Sequence, residues 1–134
     1  MTEEMLVVGK YKTEWSERLE LEIEEQEIYM ANGLKIHVAR RHPECLDYLD
    51  LIPEIIKAPD FIGVNPREKV GQSIELVKRC DPNILIGIKL DIKNNYLYVA
   101  TLHEIREARI NRQLYSGRLK EVNQHLKKEI LDNE

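Results

Sequence analysis

The sequence predicts a single α+β domain, with N-terminal strands and helices packed on a small antiparallel β-sheet and a C-terminal helix. The chain of 134 residues is 43% apolar, which is enough for one modest core. Its apolar residues follow helical spacing over residues 34–57 and the two-residue period of strands over residues 72–103. Because no run of about 18 apolar residues occurs and the N-terminus lacks a basic start, we expect a cytoplasmic protein without membrane partners.

The N-terminal segment is predicted to form strands. "MLVVGKY" is a short apolar run, and Leu19, Leu21 and Ile23 alternate with acids in the manner of a half-exposed strand that leads into "EIYMA". Asn32-Gly33 ends this segment, because this dipeptide favours a turn.

Two helices are predicted next. Helical spacing begins at Leu34 and continues to His42. Pro43 suits the first turn of a second helix through "ECLDYLDLIPEIIK", which Pro53 divides or kinks. The following stretch, "APDFIGVNPREKVG", contains two prolines and two glycines, so we predict a loop there.

Three strands are predicted after this loop, in "QSIELVKR", "NILIGIKLD" and "NYLYVATLH". The short polar link "DIKNN" favours an antiparallel hairpin for the last two. With the turn at the centre of that link, Ile88 lies opposite Val99 and Ile86 opposite Thr101. Thr101 would then point to the apolar face that the helices cover, where an unpaired hydroxyl costs roughly 1–3 kcal/mol.

The C-terminal segment is predicted to be helical and basic. We expect a helix over residues 104–115, a break at Ser116-Gly117 and a further helix towards residue 131. Residues 105–128 hold seven basic and two acidic residues, whereas the first thirty residues hold nine acids and three bases. The net charge of −4 alone argues against a nucleic-acid binder, but this uneven distribution leaves open either a basic surface for a polyanion or two solvated faces.

The segment "KIHVARRHPE" brings two histidines and two arginines into six positions. On a helix, His37 and Arg41 share a face, with Arg40 beside them. His42 lies about 140° from His37 on a regular helix, so the two share a cleft only if the chain bends at Pro43. Cations that stabilise a helix C-terminus are one interpretation. Acid–base chemistry on a phosphodiester is the other, because imidazole transfers protons near neutral pH and guanidinium binds phosphate.

Six stretches of the chain occur in a particular order: "GLKIHVARRHP", "IIKAPDFIG", "SIELVKR", "NILIGIKLD", "YLYVATLHEI" and "SGRLK". In this order they resemble the phage and mobile-element branch of the barnase/EndoU/colicin/RelE-like ribonuclease superfamily. The resemblance covers residues 27–120, which would be the nuclease-like core. It leaves an acidic segment, residues 1–26, and a predicted helical tail, residues 121–134, on either side.

The resemblance implies a metal-independent endoribonuclease without a cofactor, of toxin or effector type. It implies an RNA substrate, with tRNA as one candidate, and an immunity protein or antitoxin as a partner. The implied catalytic residues come from "HVARRHP" and "VATLHE", and they are His37, Arg41, His42 and Thr101. Further basic residues are candidates for substrate binding, from the resemblance or from their helical spacing, and they are Arg40, Lys78, Lys89, Arg109, Arg112 and Arg118.

Other functions stay open at this point. A catalytically inactive relative could bind RNA or a protein without turnover. A metal-dependent hydrolase fits worst, because no carboxylate cluster accompanies the histidines and Cys45 and Cys80 lack the spacing of a zinc site. The isolated His103 and His125 are interpreted as surface residues.

Overall fold

The computed structural model describes residues 5–68 and 73–122, and the following elements and counts refer to these residues. The strands are β1 (Met5–Tyr11), β2 (Gln26–Ala31), β3 (Phe61–Val64), β4 (Ser73–Lys78), β5 (Ile84–Asp91), β6 (Tyr96–Glu104) and β7 (Leu119–Glu121). The helices are α1 (Thr13–Leu19), α2 (Asn32–Arg41), α3 (Ile52–Lys57) and α4 (Glu107–Ser116), with a 3-10 helix at Pro43–Leu51. The α+β class is therefore confirmed.

The seven strands form one sheet in the order β1-β2-β6-β5-β4-β3-β7. The predicted hairpin of β5 and β6 is confirmed, and its turn lies between Asp91 and Tyr96. The sheet is mixed rather than wholly antiparallel, because β2 runs parallel to β6. This parallel pairing includes only two residues of β2, Ile28 and Tyr29, whereas Met30 and Ala31 pair with β1 alone before α2 begins at Asn32.

The predicted strand at Leu19, Leu21 and Ile23 is wrong. The chain forms α1 up to Leu19, and Glu20 then ends the helix in the left-handed conformation with φ 58°. All three apolar side chains still pack against the core. Their alternation therefore marks which residues face inward along an irregular segment, and not a strand period. Trp15 on α1 is fully buried, which anchors this acidic part of the chain in the core.

The two predicted helices are present, with a difference in type. The first, α2, ends at Arg41, because His42 leaves the helical region with φ −140°. Pro43 begins a 3-10 helix instead of an α-helix, and Pro53 stands in the first turn of α3, where its missing N–H costs nothing. Pro53 therefore marks the start of a new helix, which agrees with the predicted division.

The stretch predicted as a loop contains strand β3, so that prediction is wrong over Phe61–Val64. Its two prolines, Pro59 and Pro66, flank the strand and do not interrupt its hydrogen bonds. β3 pairs with β4 on one side and with β7 on the other. Gly63 permits the second pairing, because a Cβ there would lie 2.2 Å from the main-chain oxygen of Arg118.

The predicted C-terminal helix is present as α4, and Gly117 ends it with φ 86°. The second helix predicted after Gly117 is wrong at Leu119–Glu121, which forms β7. Residues 123–134 lie outside the described residues, so the helical tail stays a prediction there.

A β-bulge in β6 changes the predicted face of Thr101. The structure pairs Ile88 with Val99, as expected, but Thr101 pairs with Gly87 and not with Ile86. Ala100 is the extra residue between these pairs. Directly opposed residues share a face, so Thr101 lies on the side of the sheet opposite the helix-covered core that contains Ile86 and Ile88. The prediction that Thr101 lies on the helix-covered apolar face is therefore wrong.

Candidate active site

An open cleft of about 740 Å³ lies on the face of the sheet that carries Thr101. We call it the histidine cleft. Its residues come from α2 and the residue after it, from the loop that follows β3, from strands β4 to β6, from α4 and from the link between α4 and β7. The lining residues are His37, Arg41, His42, Asn65, Arg67, Glu68, Ser73, Glu75, Leu85, Gly87, Lys89, Ala100, Thr101, His103, Arg109 and Arg118.

His37 contacts Thr101 across the edge of the sheet. β2 pairs with β6 only at Leu97 and Tyr98, and α2 lies beside the later half of β6. Leu34 and Val38 of α2 are buried in the core, and His37 reaches the strand beside them. Its Nε2 atom lies 3.2 Å from Oγ1 of Thr101, a hydrogen bond in which either atom can donate.

The chain bends at His42 as a shared cleft requires. His42 has φ −140° and ψ 59°, outside the helical region, because the residue before a proline is sterically excluded from it. Its ring centroid lies 6.2 Å from that of His37. Both side chains are half-buried and line the histidine cleft. The two histidines of the "KIHVARRHPE" segment are therefore neighbours in space.

A third histidine, His103, lies beside His42. We call His37, His42 and His103 the histidine row. The ring centroid of His103 is 5.3 Å from that of His42, so His103 is not isolated in space, although its side chain is partly exposed as expected of a surface residue. Its Nδ1 lies 2.9 Å from the main-chain oxygen of Glu104. A carbonyl only accepts, so Nδ1 carries the proton and Nε2 of the neutral ring is left to accept one. The two-residue strand period offered a signal, because it places His103 on the same face as Thr101.

Basic side chains outnumber acidic ones around this row. Five of the lining residues are arginine or lysine, and two are glutamate. Nε and Nη2 of Arg118 each donate to buried Glu75 at 2.9 Å, and Nζ of Lys89 lies 3.3 Å from Glu68. The remaining lining cations are Arg41, Arg67 and Arg109. The histidine cleft therefore has an excess of positive charge in a chain whose net charge is −4.

Three of the candidate substrate-binding residues do not line the histidine cleft. Arg40 and Arg112 are exposed outside it. Lys78 donates to the main-chain oxygen of Ala58 at 2.9 Å and lies 3.8 Å from Asp60. Lys78 thus stabilises the loop between α3 and β3, which is a structural contact.

The two cysteines also lie outside the histidine cleft. Cys45 is buried and Cys80 is exposed. Loss of solvation raises the pKa of both thiols above the usual range, so both stay protonated at neutral pH. Among the described residues, no three histidine, cysteine or acidic side chains are grouped so that they could hold a metal ion. None of the helices in the described ranges has the length and apolarity needed to cross a membrane.

The histidine cleft holds a row of imidazoles beside arginines. Imidazoles can move protons to and from the attacking and leaving oxygens of a phosphodiester, and arginines can bind its charge. This is the chemistry of a nuclease. Residues 6–112 match a family described as phage-Barnase-EndoU-ColicinE5/D-RelE like nuclease3, and the chain belongs to this nuclease family. The match includes all of α1, and β1 from its second residue, which lie before the stretches that carry the resemblance in sequence. No curated protein and no solved structure matched the chain.

Proposed function

We propose that the protein is a metal-independent endoribonuclease that uses the 2′-hydroxyl of RNA as its nucleophile. The observation that carries this proposal is the convergence of His37, His42 and Thr101 on one cationic cleft. RNA provides the anionic backbone that such a cleft binds and the hydroxyl group that an imidazole can deprotonate.

The proposed reaction needs two proton transfers. One imidazole removes the proton from the 2′-hydroxyl, whose oxygen attacks the adjacent phosphorus. The bond from phosphorus to the 5′-oxygen breaks, and a second imidazole gives that oxygen a proton. The products are a 2′,3′-cyclic phosphate and a 5′-hydroxyl. His37 and His42 carry these two roles, because their rings are neighbours in the histidine cleft.

The remaining groups bind or orient. Arg41 stabilises the charge that develops on the phosphate oxygens, because guanidinium forms charge-assisted hydrogen bonds with phosphate. Thr101 orients His37 through the hydrogen bond between Oγ1 and Nε2. Lys89, Arg109 and Arg118 are the substrate-binding candidates from the sequence that line the histidine cleft.

The test compares RNA with DNA of the same sequence, in EDTA. We expect cleavage of the RNA, product ends that carry a cyclic phosphate, and intact DNA. His37→Ala and His42→Ala should each lower the cleavage rate by about 10²–10⁴-fold, as the loss of a general acid or base does. Arg40→Ala is the matched control for Arg41→Ala, because the neighbouring Arg40 does not line the histidine cleft.

Three results would contradict the proposal. Cleavage of DNA would remove the need for a 2′-hydroxyl. Loss of activity in EDTA would point to a metal-dependent reaction. Wild-type rates in both histidine variants would remove the proposed acid and base. RNA binding without turnover would instead support the alternative function, an inactive relative that binds RNA.

We further propose that the protein acts as a toxin-type effector in the cytoplasm, with tRNA as a candidate substrate and an immunity protein or antitoxin as its partner. Membership in a phage-related nuclease family named partly after colicins supports this role. Expression in bacteria should slow growth and fragment RNA, and His37→Ala should relieve both effects. Slow growth that persists in this variant would separate any toxicity from RNA cleavage.

A further inference from the structure

A second recess adjoins the histidine cleft near the turn between β5 and β6. It has a volume of about 800 Å³ and shares three lining residues with the histidine cleft, namely His37, Lys89 and Ala100. We call it the tyrosine recess. The shared residues place the two spaces side by side, so an extended ligand that passes over His37 and Lys89 would contact both.

The tyrosine recess combines aromatic rings with apolar side chains. Tyr96 and Tyr98 line it, and their ring centroids lie 5.7 Å apart. Tyr29 extends this group, with its ring centroid 6.1 Å from that of Tyr96. All three rings are half-buried, so each keeps some exposed surface. Apolar contacts in the recess come from Met5, Leu34 and Val99.

The sheet register places these rings and the histidines on the same face. Tyr98 is opposite Lys89, two residues along β5 from Gly87, which is opposite Thr101. Residues two apart on a strand share a face, about 6.6 Å from each other at roughly 3.3 Å per residue. A base that stacks on the Tyr98 ring would therefore lie close to the contact between Thr101 and His37.

We propose that the tyrosine recess binds an unpaired nucleobase next to the phosphate that is cut, by stacking it on Tyr98 and Tyr96. This inference rests on the proposed function and names its substrate class, which is RNA that is single-stranded at the cleavage position. The bases of a duplex already stack on one another, whereas an unpaired base can place its face on an aromatic ring.

Lys89 and His37 lie where the backbone of such a nucleotide would pass. Both belong to the tyrosine recess and to the histidine cleft. The Lys89 side chain is 43% exposed, and Glu68 is its partner at 3.3 Å. A phosphate that enters between the two spaces can share the Lys89 ammonium group with Glu68. The phosphate that follows the stacked base then lies beside His37, where the proposed reaction takes place.

The test measures binding apart from cleavage. Fluorescent RNA with 2′-O-methyl groups lacks the nucleophile, and it is offered as a single strand or as a duplex of the same sequence. We expect tighter binding of the single strand. Tyr98→Leu should weaken that binding roughly 10-fold or more, as the loss of one stacking contact does. Tyr98→Phe should bind like the wild type, because it keeps the ring.

Two further measurements guard against loss of the fold. Tyr115→Leu is the matched control, because Tyr115 is 97% exposed and lines neither space. Each variant is melted thermally, and Tyr96→Leu replaces Tyr98→Leu if the latter does not fold. A fluorescent adenine analogue in the strand also reports stacking in the wild-type protein, because its emission is quenched on an aromatic ring.

Three results would overturn the proposal: equal affinity for the duplex, unchanged affinity in both leucine variants, or no binding of RNA by the wild type. Cleavage of unmodified RNA is measured separately. Tyrosine-dependent binding without cleavage would refute the proposed reaction and leave the recess as a base-binding site. Cleavage with tyrosine-independent binding would refute the recess and leave the reaction.

Discussion

At the scale of single residues, one main-chain contact determines which ring nitrogen of His103 carries a proton. The main-chain oxygen of Glu104 accepts a hydrogen bond from Nδ1 of His103, which defines the tautomer of the neutral ring. Because this acceptor is a main-chain atom, the tautomer does not depend on the side chain at residue 104. His42 lies between His103 and His37, with centroid distances of 5.3 Å and 6.2 Å. The His103 ring therefore lies beside the His42 ring, and its Nε2 accepts a proton when the ring is neutral.

His103→Ala should lower RNA cleavage by about 10²–10⁴-fold if His103 takes part in proton transfer. The matched control is Glu104→Gln, which changes the neighbouring side chain but keeps the main-chain oxygen that binds Nδ1. Initial rates and thermal melting of both variants check this. A His103→Ala rate equal to the wild type would exclude His103 from the reaction.

The residues of the candidate site were only partly predictable from sequence. His37 and His42 lie close together in the chain, and Pro43 indicated the bend that makes them neighbours. The pairing of Glu75 with Arg118 depends on two strands that are distant in sequence, so no local pattern announces it. The roles of the candidate site residues in catalysis and substrate binding stay predictions.

Among the secondary-structure elements, β3 shows how close packing fixes a residue type. A Cβ on residue 63 would lie 2.2 Å from the main-chain oxygen of Arg118 and 3.0 Å from Cδ2 of Leu119. Backbone cannot move aside as a flexible side chain can. The guanidinium of the same Arg118 binds Glu75, and both residues line the histidine cleft. Packing at Gly63 and the position of a cleft cation are thus linked through one residue.

Gly63→Ala should lower the free energy of unfolding by roughly 1–3 kcal/mol, the usual cost of overpacking. Gly87→Ala is the contrasting variant, because its Cβ would meet only the Thr101 methyl group, at 2.8 Å. There we expect a smaller loss of stability but slower RNA cleavage, since Thr101 must move away from His37. Urea unfolding and cleavage rates distinguish the two. Equal stability of Gly63→Ala and wild type would show that β3 and β7 can separate freely.

The elements of the hairpin were predictable because β5 and β6 have a strong two-residue period and a polar turn. The four residues of β3 were not, because two nearby prolines and a glycine outweigh such a short apolar run. The bulge at Ala100 was also missed, since periodicity cannot show an extra residue inside a strand. That one residue accounts for the error in the face assigned to Thr101.

On the scale of the whole molecule, charge is separated in space and not only along the sequence. The chain carries a net charge of −4, yet its histidine cleft is lined by five basic and two acidic residues. Two of those bases, Lys89 and Arg118, form ion pairs with the two glutamates of the same cleft, Glu68 and Glu75. Counts along the sequence indicated a basic C-terminal stretch but not this cleft, because its cations come from five separate parts of the chain.

The affinity for RNA should therefore fall as the salt concentration rises, by an amount that the number of phosphate contacts sets. If Arg41, Arg67, Lys89 and Arg109 each contact one phosphate, the logarithm of the binding constant should fall with the logarithm of salt concentration at a slope of about −3 for single strands. Arg109→Ala should make this slope shallower, whereas Arg112→Ala, outside the histidine cleft, should not. Titrations at several salt concentrations measure both. A much steeper slope would indicate a wider RNA contact surface than the histidine cleft.

Because of the bulge at Ala100, the site depends on how many residues β6 contains before Thr101, and not only on which residues they are. Between the turn and Thr101, β6 has one residue more than its partner strand. Removing Ala100 would exchange inside and outside for every later residue of the strand, so that Thr101 and His103 would turn into the core and Leu102 out of it. No single substitution can compensate for that exchange. A related chain can therefore vary many side chains of β6 and keep the site. The number of residues between the turn and Thr101 must change only by an even number, so that Thr101 stays on the same face of the sheet.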